Sequence, residues 1–265
     1  VKAWQKKDKL VAMTGDGMDD APALQAADIG CAMGKGGTDI AKEAADLVLL
    51  DDNFATVVSA VREGRGIYNN IGKTVRFLLS GNIGEIMTIF MAMLLAFSIP
   101  LLPLQLLWIN VVIAAFPALA LGMEPAREGL MTHPPRRKKE GLISRSLAID
   151  IVWQGALIGA AALFAFCIGT GFLPRTDETG ALMTGQTMAF AVLSLSQIIH
   201  AYDVRSKHSL LSIGIFGNKT LNIACVFSLI TALFVMLVPG VNTVFGMCAL
   251  SVGQWLSVLA LSILP

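Results

Sequence analysis

The chain has 265 residues, of which 55% are hydrophobic and 15% are charged, and its formal net charge is +1. This composition excludes an ordinary soluble domain, and the near-neutral charge argues against binding to nucleic acid. The charged residues are concentrated in residues 1–76 and in a few short loops, which leaves long apolar stretches elsewhere. A membrane protein with a soluble N-terminal part is therefore expected.

Residues 1–55 alternate between strand and helix patterns. Strands are predicted at Lys9–Met13, Ile29–Met33 and Leu47–Leu50, and helices at Ala21–Ala27 and Thr38–Ala45. Strands separated by short helices indicate a parallel α/β sheet. A segment this short buries too little apolar surface to fold well alone, and the sequence opens without a methionine in a helical pattern. We therefore expect a fragment that starts near the end of a larger α/β domain.

From Phe54 onward the pattern becomes helical and runs through Arg65 towards Arg76. Residues 56–73 are predicted to form a stalk helix that continues into the first membrane span. The interior glycines Gly64, Gly66 and Gly72 oppose this continuity, because each costs a helix about 1 kcal/mol.

Six apolar windows predict a transmembrane domain over residues 74–265, since about 20 apolar residues cross a hydrocarbon core of about 30 Å. The windows are Thr74–Phe97, Leu101–Leu121, Leu147–Thr170, Leu182–Tyr202, Thr220–Pro239 and Gly246–Leu264. The loops 122–146 and 203–219 are rich in Arg and Lys, which predicts that they face the cytoplasm together with residues 1–70. The predicted fold is an α-helical transmembrane bundle preceded by part of an α/β domain.

Asp16 and Asp20 flank a glycine turn at the end of the first predicted strand, where open α/β sheets bind their ligands. Carboxylates at this position suit Mg²⁺, which binds one or two of them beside phosphate oxygens. The Thr14 hydroxyl and the Gly15 backbone could donate hydrogen bonds to a phosphoryl oxygen. A plain surface turn is the alternative for the tetrapeptide alone, whereas the longer string Thr14–Leu24 favours a functional site.

Glu85 lies near the middle of the first predicted span, where a bare carboxylate is costly and usually serves a function. Asn82 precedes it by three residues on the same predicted helix face, and Asn110 lies at a similar depth in the next span. These three side chains are predicted to converge on one dehydrated cation. An interhelical hydrogen-bond cluster is the structural alternative. Pro117 is expected to free backbone carbonyls in the second span.

Several motifs resemble those of one family, the P-type ATPases. Thr14–Leu24 reads TGDGMDDAPAL and is similar to the family's hinge signature, whose usual form is TGDGVNDAPAL. Asp51–Phe54, Glu63–Asn70 and Leu106–Asn110 also look like that family, in its order and spacing, and are similar to its calcium-pump branch. The resemblance covers nearly the whole chain.

The resemblance implies a haloacid-dehalogenase-like (HAD-like) phosphorylation domain followed by the last six of ten membrane helices. It also implies ATP hydrolysis through an aspartyl-phosphate on a DKTGT motif, with Asp16 holding Mg²⁺. The sequence contains neither DKTGT nor the family's nucleotide-binding domain, actuator domain and first four membrane helices. As given, it is therefore not expected to hydrolyse ATP, which would be bound mainly by the missing part.

Four departures from the calcium-pump pattern bear on the candidate sites. Asp19 replaces the usual hinge Asn and adds negative charge beside the phosphoryl site. This charge could change the affinity for Mg²⁺ or slow phosphorylation, and the sequence leaves both alternatives open. Ile113 and Ala114 replace a Thr and an Asp, and Gln197 stands where sarcoplasmic-type pumps carry a Glu. Because Ca²⁺ takes roughly 6–8 oxygens, Glu85 with Gln197 as a weak ligand makes a poor site for two Ca²⁺ ions.

The favoured prediction is a P-type pump that exports Ca²⁺ across the plasma (inner) membrane, with the cation and the lipid bilayer as partners. One alternative is a P-type pump for a monovalent cation or H⁺, which fits the lower charge of the site. The other is a truncated, non-catalytic membrane protein.

Overall fold

The computed structural model describes residues 1–125, 129–132, 134, 141–172, 179–205 and 218–264. Within these residues the chain divides into two compact units. The first unit is formed by Val1–Tyr68 with Pro125–Leu142, and the second by Asn69–Glu124 with Ile143–Pro265.

A small parallel sheet organises the first unit. Its elements are α1 (Lys2–Gln5), β1 (Ala12–Gly15), α2 (Ala21–Ala26), β2 (Ile29–Met33), α3 (Asp39–Ala44) and β3 (Leu47–Leu49). The strands lie in the order β1–β2–β3 and pair in parallel, so the predicted parallel α/β sheet is confirmed. β1 begins at Ala12 rather than Lys9, because the backbone N–H of Val11 donates to the Asp28 side chain (3.0 Å) before the ladder starts.

Aspartate side chains accept hydrogen bonds from backbone N–H groups at the ends of these strands. Asp46 accepts a hydrogen bond from the backbone N–H of Gly30 (2.9 Å). Asp52 accepts from Gly34 and Gly36, both at 2.7 Å. Backbone hydrogen bonds of this kind, from Lys35 and Gly36 first, lower the pKa of the Asp52 carboxyl. Carboxylates therefore satisfy backbone donors at both ends of β2 and β3, Asp46 at their amino ends and Asp52 beyond their carboxyl ends.

The second unit is helical. Its elements, with the helix that leads into it, are α4 (Phe54–Leu94), α5 (Pro103–Trp108), a π-helical segment (Ile109–Ile113), α6 (Ala115–Gly122), α7 (Arg145–Gly169), α8 (Thr179–Val204), α9 (Lys219–Leu237), α10 (Val241–Val244) and α11 (Val252–Ser262). Helix α4 runs for 41 residues and contains Gly64, Gly66 and Gly72 without a break. These glycines therefore do not interrupt it.

Within the described residues, five helical segments are long and apolar enough to cross a membrane: α4, the segment Pro103–Gly122, α7, α8 and α9. Large apolar side chains such as Ile86, Trp153 and Ile223 point outwards and are more than half exposed, as expected for surfaces that contact lipid. The predicted transmembrane helical bundle is thereby confirmed. Most of the basic loop residues on which the predicted orientation depends lie outside the described residues, namely Arg127, Arg136, Arg137, Lys138, Lys139 and Lys207.

Helix α8 is the most enclosed of these helices. Every residue from Met188 to Leu193 is fully buried, so the helix is surrounded by protein on all sides along this stretch. Its polar residues Ser194, Ser196, Gln197 and His200 are also buried. A helix that contacts protein all round can carry polar side chains that a lipid-facing helix could not, which explains why this span has the weakest apolar pattern.

The segment Pro103–Gly122 changes from α-helix to π-helix and back to α-helix in its middle. Pro117 has no backbone N–H and therefore cannot donate to the carbonyl of Ile113, four residues earlier. The Ser228 hydroxyl on α9 donates to that carbonyl instead (2.8 Å), as neighbouring Ser side chains do in membrane helices. The π-helical turn Ile109–Ile113 lies immediately before this point. Pro117 thus frees a carbonyl, as expected from the sequence, and a neighbouring helix satisfies it.

The last predicted span is shorter in the structure than in the prediction. The apolar window Gly246–Leu264 contains only the 11-residue helix α11, which rises about 17 Å at 1.5 Å per residue. Gly246 has a φ of +63°, a left-handed conformation that ends the preceding helical turn. Ser251 then caps α11 by accepting from the backbone N–H of Gln254 (3.4 Å).

Glycine allows α7 to pack closely against α4. A Cβ atom on Gly155 would lie 2.5 Å from Cγ2 of Ile83 and 2.9 Å from the backbone oxygen of Ser80. We expect Gly155→Ala to destabilise the protein by roughly 1–3 kcal/mol through overpacking. Thermal unfolding of the purified protein in detergent measures this as a lower Tm.

The matched control is Gly72→Ala on α4, where an added Cβ would meet nothing within 4 Å. This substitution should leave the Tm unchanged or raise it, because Ala favours a helix over Gly by about 0.5–1 kcal/mol. Equal effects of the two variants would contradict the described α4–α7 contact.

Candidate functional site

The first candidate site is the turn that follows β1. One carboxylate oxygen of Asp20 accepts hydrogen bonds from the backbone N–H groups of Asp16 and Gly17, both at 3.1 Å. A Cβ atom on Gly15 would lie 2.6 Å from Cβ of Asp20, so only glycine allows the turn to close this tightly. Asp20 therefore holds the backbone of the turn in place.

Asp16 is the exposed carboxylate of this turn. Its backbone carbonyl accepts from the N–H of Thr38 (2.8 Å), which fixes the backbone at the carboxyl edge of the sheet. In the described part of the chain its side chain has no hydrogen bond or ion pair, and the same is true of Asp19, which is also exposed. Thr14 is half-buried and pairs with Cys31 on β2.

These contacts give the two predicted Mg²⁺ ligands, Asp16 and Asp20, different roles. Asp16 offers a carboxylate with both oxygens available at the ligand edge of the sheet, which fits an ion that takes one or two protein carboxylates. Asp20 has one oxygen engaged by two backbone donors. The donor set of the turn thus fits Mg²⁺ mainly through Asp16.

The second candidate site lies inside the helical unit, around Glu85. This carboxylate is only 6% exposed. The side-chain amide of Asn110 donates to one of its oxygens (2.7 Å), and that of Gln197 donates to the other (3.1 Å). Gly81 gives Gln197 room, since a Cβ there would lie 3.0 Å from its amide nitrogen. Three elements therefore meet at one carboxylate: α4, the π-helical segment and α8.

Asn82 is not part of this cluster in the structure. Its side chain is exposed, and it forms no hydrogen bond with Glu85, Asn110 or Gln197. A step of three residues turns a helix by about 300°, so Asn82 lies about 60° around α4 from Glu85. That rotation moves it from the buried face to an exposed one. The structure thus brings together Glu85, Asn110 and Gln197.

The charge of Glu85 has only neutral partners among the described residues. Both of its hydrogen bonds come from amides, and no described Lys, Arg or His lies within ion-pair distance. The side-chain oxygen of Gln197 is buried without a hydrogen-bond partner in the same part of the chain. Ile113 and Ala114, the positions that depart from the calcium-pump pattern, are buried and apolar. A buried carboxylate in such surroundings requires a cation or a proton nearby.

Sequence reasoning missed a third polar cluster, around Glu124. The two carboxylate oxygens of Glu124 accept from different partners: one from Lys73 and the other from Nε of Arg205 (2.7 Å). Burial would raise the pKa of the Glu124 carboxyl, but the hydrogen bonds and charges of Lys73 and Arg205 outweigh it and hold the pKa below its ordinary value. Charges at the ends of predicted spans are the signal that could have found this cluster.

Taken together, the two units define an integral membrane protein that joins an α/β unit with a Gly-Asp-Gly turn to a helical bundle around a buried carboxylate. Comparison with known families agrees with this description. Residues 98–265 match the family described as cation transporting ATPase, C-terminus, and residues 1–61 match the family described as haloacid dehalogenase-like hydrolase. The chain belongs to the cation-transporting ATPase family, which confirms the resemblance seen in its motifs.

Curated relatives match over the whole length of the chain. The calcium-transporting ATPase of Bacillus subtilis (strain 168) is 46% identical over 265 residues, which are 100% of this chain and 29% of that protein. Calcium-transporting ATPase 1 of Bacillus cereus is 45% identical over 276 residues (100% and 31%). Calcium-transporting ATPase type 2C member 1 of Bos taurus is 38% identical over 263 residues (99% and 27%). The chain thus spans less than a third of the length of these relatives.

The role of Asp20 can be tested by amide hydrogen exchange. Asp20→Ala removes the acceptor of two backbone N–H groups, so the amides of Asp16 and Gly17 should exchange at least about tenfold faster, as expected for the loss of a hydrogen bond to a charged group. Asp19→Ala is the matched control and should leave both rates unchanged. Unchanged exchange in the Asp20 variant would mean that another group holds the turn.

The Glu124 cluster predicts a dependence of stability on pH. Because the folded-state pKa of Glu124 is lowered, its contribution is fully present above the unfolded value of about 4.3 and is lost as the pH falls through the folded value. Glu124→Gln should therefore lower stability by about 3–5 kcal/mol at pH 7, and this gap should narrow below about pH 4.3.

Thermal unfolding in detergent from pH 3 to pH 8 measures the gap. Glu43→Gln, which changes an exposed glutamate on α3, is the control and should follow the parent protein at every pH. A gap for Glu124→Gln that stays constant down to pH 3 would contradict the ionic origin of the stabilisation.

Proposed function

We propose that the full-length protein is a P-type ATPase that uses ATP hydrolysis to move a cation across a membrane. The observation that carries this proposal is the buried Glu85 carboxylate, held between amides of Asn110 and Gln197 on three membrane helices, in a chain of this family. Intramembrane carboxylates of this kind mark ion pathways. The phosphorylated aspartate would come from a DKTGT motif that this sequence does not contain.

In the proposed cycle the turn after β1 serves the phosphoryl group. Asp16 would hold Mg²⁺, which when bound neutralises negative charge on the transferred phosphoryl group. Asp20 keeps the backbone of the turn in the shape that presents Asp16. The Thr14 hydroxyl and the Gly15 N–H are donors for phosphoryl oxygens, and Asp19 adds negative charge at the rim. ATP would be bound mainly by parts of the protein outside this sequence.

Ca²⁺ is the favoured cation. The relatives from Bacillus subtilis and Bacillus cereus are named calcium-transporting ATPases, and the cluster offers oxygen ligands of the type that Ca²⁺ prefers. If the amides of Asn110 and Gln197 rotate, their oxygens would join those of Glu85 around one ion. Asn82 lies on an exposed face of α4 and could add an oxygen where further protein covers that face. Ligands from outside this sequence would complete the shell.

A monovalent cation or H⁺ is the second candidate, and one observation favours it. Ile113 and Ala114 are buried, apolar positions beside the cluster, and Gln197 is neutral, so Glu85 is the one carboxylate in this part of the site. A single negative charge balances one monovalent cation or one proton.

The proposal places the protein in the plasma (inner) membrane with residues 1–70 in the cytoplasm. Its support is the excess of Arg and Lys in the loops 122–146 and 203–219, which face the cytoplasm in most membrane proteins. Residues 1–55 would be the end of the phosphorylation domain and residues 56–73 a stalk, which the uninterrupted helix α4 supports. Residues 74–265 would form the transmembrane domain.

The test is the ATPase activity of the full-length protein, titrated in turn with Ca²⁺, Mn²⁺, Na⁺ and K⁺. Stimulation by micromolar Ca²⁺ is expected, and stimulation by Na⁺ or K⁺ alone would favour the second candidate. Glu85→Gln should raise the half-activating Ca²⁺ concentration about tenfold or more, since it removes a hydrogen-bonded charge.

Glu63→Gln is the matched control, because it makes the same change at an exposed position of the same helix. It should leave the Ca²⁺ dependence unchanged. An equal response of the two variants would refute the assignment of Glu85 to the ion path, and absence of any cation-dependent ATP hydrolysis would support the truncated, non-catalytic alternative.

A further inference from the structure

The three polypeptide segments that contact each other at Glu85 also contact each other at a second place, around Glu124. Lys73 lies on α4, which carries Glu85. Glu124 lies two residues beyond α6, in the segment that carries Asn110. Arg205 directly follows α8, which carries Gln197. The same three segments therefore contact each other at two separate polar centres. In the first, neutral amides surround Glu85, and in the second, Lys73 and Arg205 form ion pairs with Glu124.

The ionic centre is closed to solvent and holds the end of α6 against α4. Glu124 is 7% exposed and Arg205 is 8% exposed. The side-chain amide of Asn70 donates to the backbone carbonyl of Glu124, and its oxygen accepts from Lys73 (3.4 Å). The Thr74 hydroxyl donates to the backbone carbonyl of Ala118 on α6 (3.3 Å). Three neighbouring side chains of α4 thus fix the last turn of α6.

Both partners of Glu124 must be in place at once. One carboxylate oxygen accepts from Lys73 and the other from Arg205, so the single side chain sets α4 and α8 relative to the end of α6. A slide of either helix by one residue, about 1.5 Å, would break a short hydrogen bond in a buried site.

Helix geometry connects this centre to the cation site. Lys73 and Glu85 are twelve residues apart on α4, or about 18 Å along the axis, and Gln197 and Arg205 are eight residues apart, or about 12 Å. Over such lengths an α-helix is close to a rigid rod. The register fixed at Glu124 is therefore transmitted to the point where the amide of Gln197 reaches Glu85.

Stability alone does not account for this arrangement. A buried ion pair usually contributes no more than a well-packed apolar group of the same volume, because both charges lose their hydration. Its distinctive property is geometric specificity, since only one relative placement of the partners satisfies all their hydrogen bonds. The centre is thus suited to set helix register.

We propose that Glu124 is a positioning residue of the cation site, which sets the register of α4 and α8 relative to the end of α6 so that Gln197 reaches Glu85. The inference rests on the proposed function, cation transport through the Glu85 cluster. Glu124 itself lies outside that cluster and acts through the helices.

The experiment uses the full-length protein with Glu124→Gln, Glu124→Asp and the apolar replacement Lys73→Met/Glu124→Leu/Arg205→Met. The half-activating Ca²⁺ concentration, the maximal ATPase rate and the Tm are measured for each. Glu124→Gln should raise the half-activating concentration about fivefold or more and leave the maximal rate within about twofold. Glu124→Asp, which keeps the charge but shortens the side chain, should shift it in the same direction by less.

The apolar replacement separates positioning from stability. It should recover the Tm, because no unpaired charge remains, but should not recover the Ca²⁺ affinity. Val258→Ala, which removes fully buried side-chain volume on α11, a helix that carries neither polar centre, is the control for destabilisation alone and should lower the Tm without changing the Ca²⁺ dependence. Parental Ca²⁺ affinity in Glu124→Gln, or full recovery of affinity in the apolar replacement, would overturn the proposal.

A second readout does not depend on transport. Phe77 on α4 stacks against His200 on α8 with ring centroids 6.1 Å apart, between the two polar centres. Cross-linking of Phe77→Cys/His200→Cys by a short bifunctional thiol-alkylating reagent reports the register of these helices and should be slower when Glu124→Gln is added. If the parent protein shows no cation-dependent activity and this cross-link still responds to Glu124, the proposed function fails while the positioning role stands. An unchanged cross-linking rate would overturn the positioning role.

Discussion

The helical unit is built around one constraint, the burial of the Glu85 carboxylate. Among the described residues its hydrogen-bond partners are all neutral. A carboxylate in this environment is stable only if donors, a cation or a proton compensate the lost hydration. Amides of Asn110 and Gln197 supply part of that compensation. Amide side chains can also turn and offer oxygen, so the same three residues can hold each other or share an ion. This exchange is what a transport site requires.

Particular neighbouring residues allow Asn110 and Gln197 to reach Glu85. Gly81 leaves the space that Gln197 occupies, and Gly155 lets α7 approach α4 closely. Pro117 interrupts the backbone hydrogen bonding of its helix, and Ser228 satisfies the carbonyl that is released. The π-helical turn that carries Asn110 directly precedes this interruption, and such turns are frequent at functional sites. The enclosed helix α8 can carry polar residues because protein rather than lipid surrounds it.

Much of the fold was predictable because it depends on local patterns. Strand patterns separated by short helix patterns predicted the parallel sheet. Long apolar windows predicted the membrane helices, within a few residues for all but α11. The pairing of Asn110 with Glu85 followed from their depth in adjacent spans. Helix periodicity did not reveal that Asn82 lies on an exposed face, because a rotation of about 60° decides between the faces. Charges at the ends of the predicted spans mark the members of the Glu124 cluster, but these residues are far apart in the chain and no local pattern shows that they meet.

The charge of the Glu85 cluster limits how many cations the proposed ion site can hold. Ala114 and Gln197 contribute no charge, so Glu85 is the one carboxylate in the described hydrogen-bonded cluster. The most direct test is equilibrium binding of radioactive calcium to the purified full-length protein, expressed per phosphorylatable site. One bound Ca²⁺ per site, lost in Glu85→Gln, is the predicted result. Two bound Ca²⁺ ions per site, or binding that survives Glu85→Gln, would contradict the account.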